Sequence, residues 1–226
     1  ANNIAYRMMK SSYKIEFLIA ANNDIQFVQR DFLTKLEEIS LKSKFFILGP
    51  DIQVKGNRHQ NPKSPNPMSY SEAQKWLSYV TFQFNHINLF LMGKLLAPYK
   101  LRLKKIFKIS PSKDLRLDGK LPWDKVHHDV CLCGACLIFS ADFIDYYQDL
   151  FSPVTFFYHE EDILFTKMKI NNQKTIYDPS IYVFHNNAVS TGQAFKNMKK
   201  RYRFQFGNNI QSCKIYIDYL EQNKLM

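Results

Sequence analysis

Glycine is scarce in this chain, with seven among 226 residues. None of the seven falls in a Gly-rich phosphate loop or a Gly-x-Ser-x-Gly elbow, so neither a P-loop nor an α/β-hydrolase nucleophile turn is present. No apolar run reaches the ~18 residues of a membrane-spanning helix, and the opening residues show no signal-peptide pattern. The four cysteines do not form the evenly spaced framework of a secreted scaffold, since three crowd at Cys131, Cys133 and Cys136. A cytoplasmic, reducing compartment is the expectation. Acidic residues are also few, 20 against 31 Lys and Arg, giving a formal charge of +11. The chain opens on Ala1-Asn2-Asn3 with no initiator Met, so an upstream piece is expected.

What is present reads as one folded domain. Hydrophobic residues make up 46% and aromatics 15%, the composition of a globular chain rather than a disordered one. At this length folding buries roughly 70% of the unfolded surface, so no disulfide or metal staple is required. The positive charge is concentrated. Lys94, Lys100, Arg102, Lys104, Lys105 and Lys108 alternate with Leu95, Leu96, Leu101, Leu103, Ile106 and Phe107, and Lys196, Lys199, Lys200, Arg201 and Arg203 form a second cluster. Such patches attract phosphate, nucleic acid or acidic lipid, or are simply solvated helix faces. Apolar residues at helical spacing in the first stretch favour a peripheral membrane contact through 94–108, and no recognisable nucleic-acid-binding motif accompanies the charge.

Periodicity predicts an alternation of helices and strands. Helices are expected at Ile4 to Ser12, Asp31 to Ser40, Ala141 to Leu150 and Glu160 to Lys169. Residues 72–108 predict one or two helices broken near Pro98, and 193–222 a helix broken at Gly207-Asn208-Asn209. Strands are expected at Ile15 to Ala21, Phe45 to Leu48 (stopped by Gly49-Pro50), Val130 to Phe139 and Ile176 to Phe184, with 55–71 a loop. The alternation predicts an α/β fold, a sheet covered by helices.

Three features bear chemistry. Asp24 ends an apolar strand, where open α/β sheets bind ligands and a carboxylate can hold a divalent cation on phosphate oxygens; Asn22-Asn23-Asp24 is also ordinary turn chemistry. Glu160, Glu161 and Asp162 follow the aromatic run Phe156-Phe157-Tyr158. First-turn carboxylates compensate the helix dipole, yet three like charges in a row repel, and such crowding raises one carboxyl toward the range of a general base. His185 closes a strand and reads as a metal ligand, a phosphate contact or a satisfied structural residue. The cysteine cluster reads as buried small hydrophobes rather than a zinc site, because a strand sends alternate side chains to opposite faces.

In order along the chain stand Phe17-Leu18-Ile19-Ala20-Ala21-Asn22-Asn23-Asp24, Leu48-Gly49-Pro50-Asp51-Ile52 and Cys133-Gly134-Ala135-Cys136-Leu137-Ile138. Phe156 to Leu164, Thr175-Ile176-Tyr177-Asp178-Pro179-Ser180, His185 and Ser190-Thr191 complete the series. This series resembles glycosyltransferase family 2, of the GT-A fold type, and within it the bacterial enzymes of capsular and cell-wall polysaccharide, the rhamnosyltransferase-like ones included. The resemblance implies a Rossmann-like mixed sheet flanked by helices over 1–191, an insert at 55–108 and a helical extension at 192–226. It implies a nucleotide-diphospho-sugar donor, a saccharide acceptor (lipid-linked if 94–108 meets the inner face of the cell membrane), Mg²⁺ or Mn²⁺, and inversion in a single displacement.

By the same resemblance Asp24 and His185 are the expected metal ligands. Glu161 is the expected base, with Glu160 orienting the base or acceptor and Asp162 an alternative base. Asn22, Asn23, Gly134, Ala135, Tyr158 and Lys200 are the expected donor or acceptor contacts. Asn22 stands where some members carry a first Asp, and Glu161 where an Asp is more usual. Members also open with a strand and a second βα unit that hold the nucleotide base; neither is present, so the expectation is an enzyme lacking its first βα units. Two other classes stand beside it: a non-catalytic GT-A-like scaffold and a basic nucleic-acid-binding protein.

Overall fold

In the computed structural model, residues 2–106, 119–186 and 197–226 are described, with backbone alone for 98–106. Among these residues fourteen elements follow one another. They begin α1 (Asn2–Ser12), β1 (Phe17–Ala21), β2 (Ile25–Gln26), α2 (Phe32–Lys42), β3 (Ile47–Val54), β4 (Arg58–His59), α3 (Tyr70–Asn85) and α4 (Ile87–Ile106). Then come β5 (His127–His128), β6 (Cys136–Ser140), α5 (Ala141–Tyr146), α6 (Glu160–Ile170), β7 (Thr175–His185) and α7 (Met198–Gln222).

The seven strands among the described residues form one mixed, open sheet in the order β1-β6-β3-β7-β2, with β4 on β3 and β5 on β7. β3 and β7 run parallel, while β6 is antiparallel to both β1 and β3. The carboxyl ends of β1, β3 and β7 therefore share one edge with the start of β6. The α/β class expected from the alternation is what is observed.

Pleat alternation sorts the core onto the two faces. Leu137 and Phe139 of β6 join Tyr6, Leu132, Phe143, Leu164 and Tyr177 on one face. Cys136 and Ile138 join Phe32, Leu36, Ile39, Ile52 and Val183 on the other. β6 is buried at all five positions, which explains its continuous apolar run. A third cluster, including Ile163, Cys213, Tyr216 and Leu220, packs α6 against α3 and α7. The expected C-terminal extension is thus packed into the body of the molecule from Met198 onward; its proposed start at 192 lies outside the described residues.

Several boundaries differ from the sequence expectation, each for a local reason. β3 continues through Gly49-Pro50 to Val54. A Cβ at Gly49 would lie 2.6 Å from Leu132 Cδ2 and 3.0 Å from the Asn61 amide nitrogen, so only glycine leaves room for both. The missing N–H of Pro50 costs no bond to β6, whose pairing with β3 covers only Ile47 and Leu48. The strand expected at 130–139 starts only at Cys136, because Asn61 takes the Cys133 N–H and Cys131 bridges to Ser64. The sulfur-alternation argument therefore loses its premise, although Cys131 and Cys136 are buried and burial pushes both thiols up to about 12. α5 stops at Tyr146, where the carbonyls of Ile144 and Tyr147 are taken by Tyr6 and Lys10.

The helical hairpin breaks at His86 rather than at Pro98, through which α4 continues. α3 begins on a full capping box, Ser69 with Glu72. α7 runs unbroken through Gly207-Asn208-Asn209: Asn209 accepts the Trp76 indole N–H at 2.8 Å, so packing on α3 outweighs weak helix propensity. In the basic 94–108 stretch Lys94, Leu95 and Leu96 are exposed on α4; the side chains from 98 on, with Lys196, Ser190 and Thr191, lie outside the described residues. Among the described residues no helix is long and apolar enough to cross a membrane.

Asn61 is fully buried, donates to Pro50 O at 2.8 Å and accepts the Cys133 N–H at 2.6 Å. Asn61→Ala strands both groups, so urea unfolding is expected to show a loss of about 2–4 kcal/mol. A loss under about 0.5 kcal/mol would mean that the side chain carries no such role.

Candidate functional site

The chain enters α6 through three consecutive left-handed residues, Phe157, Tyr158 and His159, at φ 61°, 65° and 61°. Each such residue costs on the order of 1–3 kcal/mol unless its surroundings hold it. α7 supplies the hold. Ser212 Oγ donates to Phe157 O at 2.7 Å, and the Tyr216 ring lies within 9° of parallel to the His159 imidazole at 5.8 Å.

That turn aims the His159 Nδ1 at Asp162 Oδ2, 2.9 Å away. Burial alone would lower the imidazole, but the hydrogen bond and charge of Asp162 prevail and raise it to about 9. Burial likewise works to raise the Asp162 carboxyl, and the bond from His159 holds it below the usual range instead.

The acidic triplet therefore divides into three environments. Asp162 is committed to His159. Glu160 has its carboxyl pushed up, chiefly by burial. Glu161 faces the carboxyl edge of the sheet: Oε1 accepts the Gly134 N–H at 3.0 Å and Oε2 takes the Lys63 ammonium at 3.0 Å. A Cβ at position 134 would lie 2.3 Å from Oε1, so glycine is what admits the carboxylate. Burial would lower the Lys63 ammonium, yet Glu161 and Asp162 outweigh it and hold the ammonium above its ordinary range. The Lys63 and Glu161 side chains remain 40% and 28% exposed, so their ion pair is worth about 1 kcal/mol or less and separates readily.

The second cluster forms where β1 ends. The Asn22 N–H donates to Ala135 O at 2.9 Å, placing the turn beside Gly134, and the Asn186 N–H donates to Asp24 O at 2.9 Å. Asp24 Oδ1 lies 3.1 Å from His185 Nε2, and His185 Nδ1 lies 2.7 Å from Gln60 Oε1. With a hydrogen on Nε2 the contact to Asp24 is a hydrogen bond, and a cation held by this pair would take that hydrogen's place. Two donors at this spacing match neighbouring ligands on a cation with bonds of about 2.1 Å, whose octahedral edge is about 3 Å. The pair fits a divalent cation completed by phosphate oxygens and water, with Gln60 orienting the imidazole. Among the described residues no group of three or more His, Cys, Asp or Glu is placed to hold a metal ion.

One short segment, His59 to Lys63, serves both clusters. Gln60 reaches His185, Asn61 fixes Cys133 next to Gly134, and Lys63 reaches Glu161. His59 anchors the segment: its Nδ1 lies 2.8 Å from the buried Asp51 Oδ1, and its ring stacks on Trp123 at 3.9 Å and 1°. None of these four side chains stands out in the sequence. The available signal was a dense run of polar residues, His59-Gln60-Asn61, between a strand and a helix. Of the remaining expected contacts, Asn23 and Tyr158 are exposed near the two clusters, while Lys200 lies exposed on the first turn of α7, held there by its N–H to Asn197 Oδ1.

The His159–Asp162 pair makes stability depend on pH. The folded imidazole titrates above its unfolded value of about 6.5, so its contribution is complete below that pH and disappears as pH rises through about 9. The expected loss over that window is up to about 3 kcal/mol. His159→Asn, which keeps a residue tolerant of left-handed backbone, should flatten the profile in thermal melts between pH 6 and 10. An unchanged slope in the variant would assign the titration to another group.

No protein-family model matches the chain, and no curated protein matches its sequence.

Proposed function

We propose that this chain is an inverting glycosyltransferase of the GT-A type, moving a sugar from a nucleotide-diphosphate donor to a hydroxyl of a saccharide acceptor. One observation carries the reading. A partly exposed carboxylate, Glu161, and an Asp24–His185 pair suited to a divalent cation lie along the same carboxyl edge of the sheet, tied together through Gly134-Ala135 and Asn22. That edge is where open α/β sheets bind ligands.

The roles follow from the partners. Glu161 takes the proton from the acceptor hydroxyl while that oxygen bonds to the anomeric carbon. The bond from that carbon to the diphosphate oxygen breaks, and the nucleoside diphosphate leaves with the electron pair. Lys63 yields Oε2 so that the hydroxyl can reach it, whereas the Gly134 N–H keeps Oε1 in place. His159 and Asp162 pin the first turn of α6 and so fix the aim of Glu161. A divalent cation at Asp24 and His185, when bound, offsets the charge building on the leaving diphosphate. Exposed Leu95 and Leu96 beside Lys94 on α4 support peripheral membrane contact and with it a lipid-linked acceptor.

The test is release of nucleoside diphosphate from UDP- and dTDP-sugars with Mn²⁺ and saccharide acceptors. Glu161→Gln is expected to lower turnover by about 10²–10⁴-fold with little change in melting temperature. Asp24→Ala is expected to abolish the dependence on Mn²⁺. Turnover by Glu161→Gln at the wild-type rate, or none by the folded wild-type chain with any donor, contradicts the reading.

A further inference from the structure

A cavity of about 1180 Å³ opens between α3, α6, α7 and the 63–69 segment, next to the candidate site and distinct from the sheet edge. Apolar side chains, Met68, Ile170, Leu220 and Leu225 among them, line it together with aromatic rings and four lysines. Trp76 and Tyr79 form a tilted aromatic pair with centroids 5.5 Å apart, and the Trp76 ring is fixed by its indole bond to Asn209. Around them stand four lysines, Lys63, Lys75, Lys120 and Lys169. Among the described residues two acids line the same space and both are engaged, as are Lys63 on Glu161 and Lys169 on Asn66. Asp162 is paired with His159, and Glu72 accepts the Ser69 N–H and hydroxyl at 2.8 Å, which with nearby Lys120 and Lys75 holds its carboxyl below the usual range.

The two halves of that lining select for two halves of a ligand. Aromatic faces that are fixed and partly exposed suit the C–H face of a pyranose ring. Ammonium groups outnumbering engaged carboxylates suit a phosphate or carboxylate, which lysine binds as a point charge. We infer that this cavity holds an acidic saccharide, a sugar chain bearing a phosphate or carboxylate group, and that this is the acceptor of the proposed transfer. The inference rests on the glycosyltransferase reading for the word acceptor, while the binding claim stands on the cavity itself.

Lys63 couples the cavity to Glu161. The same ammonium lines the cavity and covers Glu161 Oε2 at 3.0 Å. An anion in the cavity offers it a second partner, drawing it from Oε2 and opening that oxygen to a hydroxyl of the bound sugar. A neutral saccharide has no such effect.

Isothermal titration of the full chain, without nucleotide or metal, reads the binding claim directly. The probes are tetragalacturonate, glucose 1-phosphate and neutral cellotetraose. Tetragalacturonate or glucose 1-phosphate is expected to bind at least 10-fold more tightly than cellotetraose, with affinity falling as salt rises. The Lys75→Gln/Lys120→Gln double variant, at two exposed positions, should lose at least 10-fold in that binding, and Trp76→Phe should weaken all saccharides. Preference for the uronate assigns a carboxylate source, and preference for the sugar phosphate a phosphate source. Equal affinity for acidic and neutral probes, no binding by the folded chain, or an unchanged double variant each overturns the inference. Donor turnover without acidic-saccharide binding removes the cavity proposal alone; acidic-saccharide binding without donor turnover removes the transferase reading alone.

Discussion

The buried amide of Asn61 is the constraint on which the rest of the site depends. One side chain ties the His59–Lys63 segment to β3 through Pro50 O and to the approach of β6 through the Cys133 N–H. Its neighbours in sequence then reach in different directions, Gln60 to His185 and Lys63 to Glu161. Gly49 matters for the same reason, since a larger residue there would push against both Asn61 and Leu132. A buried polar group this well satisfied costs little to keep and much to break, because it leaves a buried Pro50 carbonyl and a half-buried Cys133 N–H without a partner. The partners that meet the base candidate and the Asp–His pair, Lys63 and Gln60, are therefore held in place by one hydrogen-bonded tether.

Charge works locally in this molecule in spite of its overall positive balance. Three adjacent carboxylates are tolerated at the start of α6 because each meets a different environment: His159 for Asp162, the Gly134 N–H and Lys63 for Glu161, partial burial for Glu160. The left-handed run at Phe157 to His159 is the geometric device that brings His159 over the helix start. Its strain is offset by α7, which explains why the C-terminal helix is built into the body rather than appended to it.

Where a pattern depends on neighbours in the chain, the sequence was a good guide. The α2 and α6 periodicities, the apolar β1 and β6 runs and the α/β alternation all appear in the structure near their expected places. Asp24, His185, Glu161 and Gly134 were also legible as candidates, and the structure brings them together in two pairs, Asp24 with His185 and Gly134 with Glu161. What was not legible depends on partners distant in sequence. Gly49-Pro50 reads as a strand stop until Asn61 and Leu132 are placed beside it. Gly207-Asn208-Asn209 reads as a helix break until Trp76 packs against it. The 55–71 loop reads as empty of chemistry because the partners of His59, Gln60, Asn61 and Lys63 lie in β3, β7, the approach to β6 and α6.

The central claim is that Asp24 and His185 hold a divalent cation on a diphosphate. Backbone amide NMR of the chain titrated with Mn²⁺ in the presence of UDP tests it most directly, since paramagnetic broadening reports where the ion sits. The account predicts selective loss of signal around Asn22 to Ile25 and Phe184 to Asn186, requiring UDP and absent in Asp24→Ala. Broadening centred elsewhere, spread over the acidic surface, or independent of UDP would contradict it.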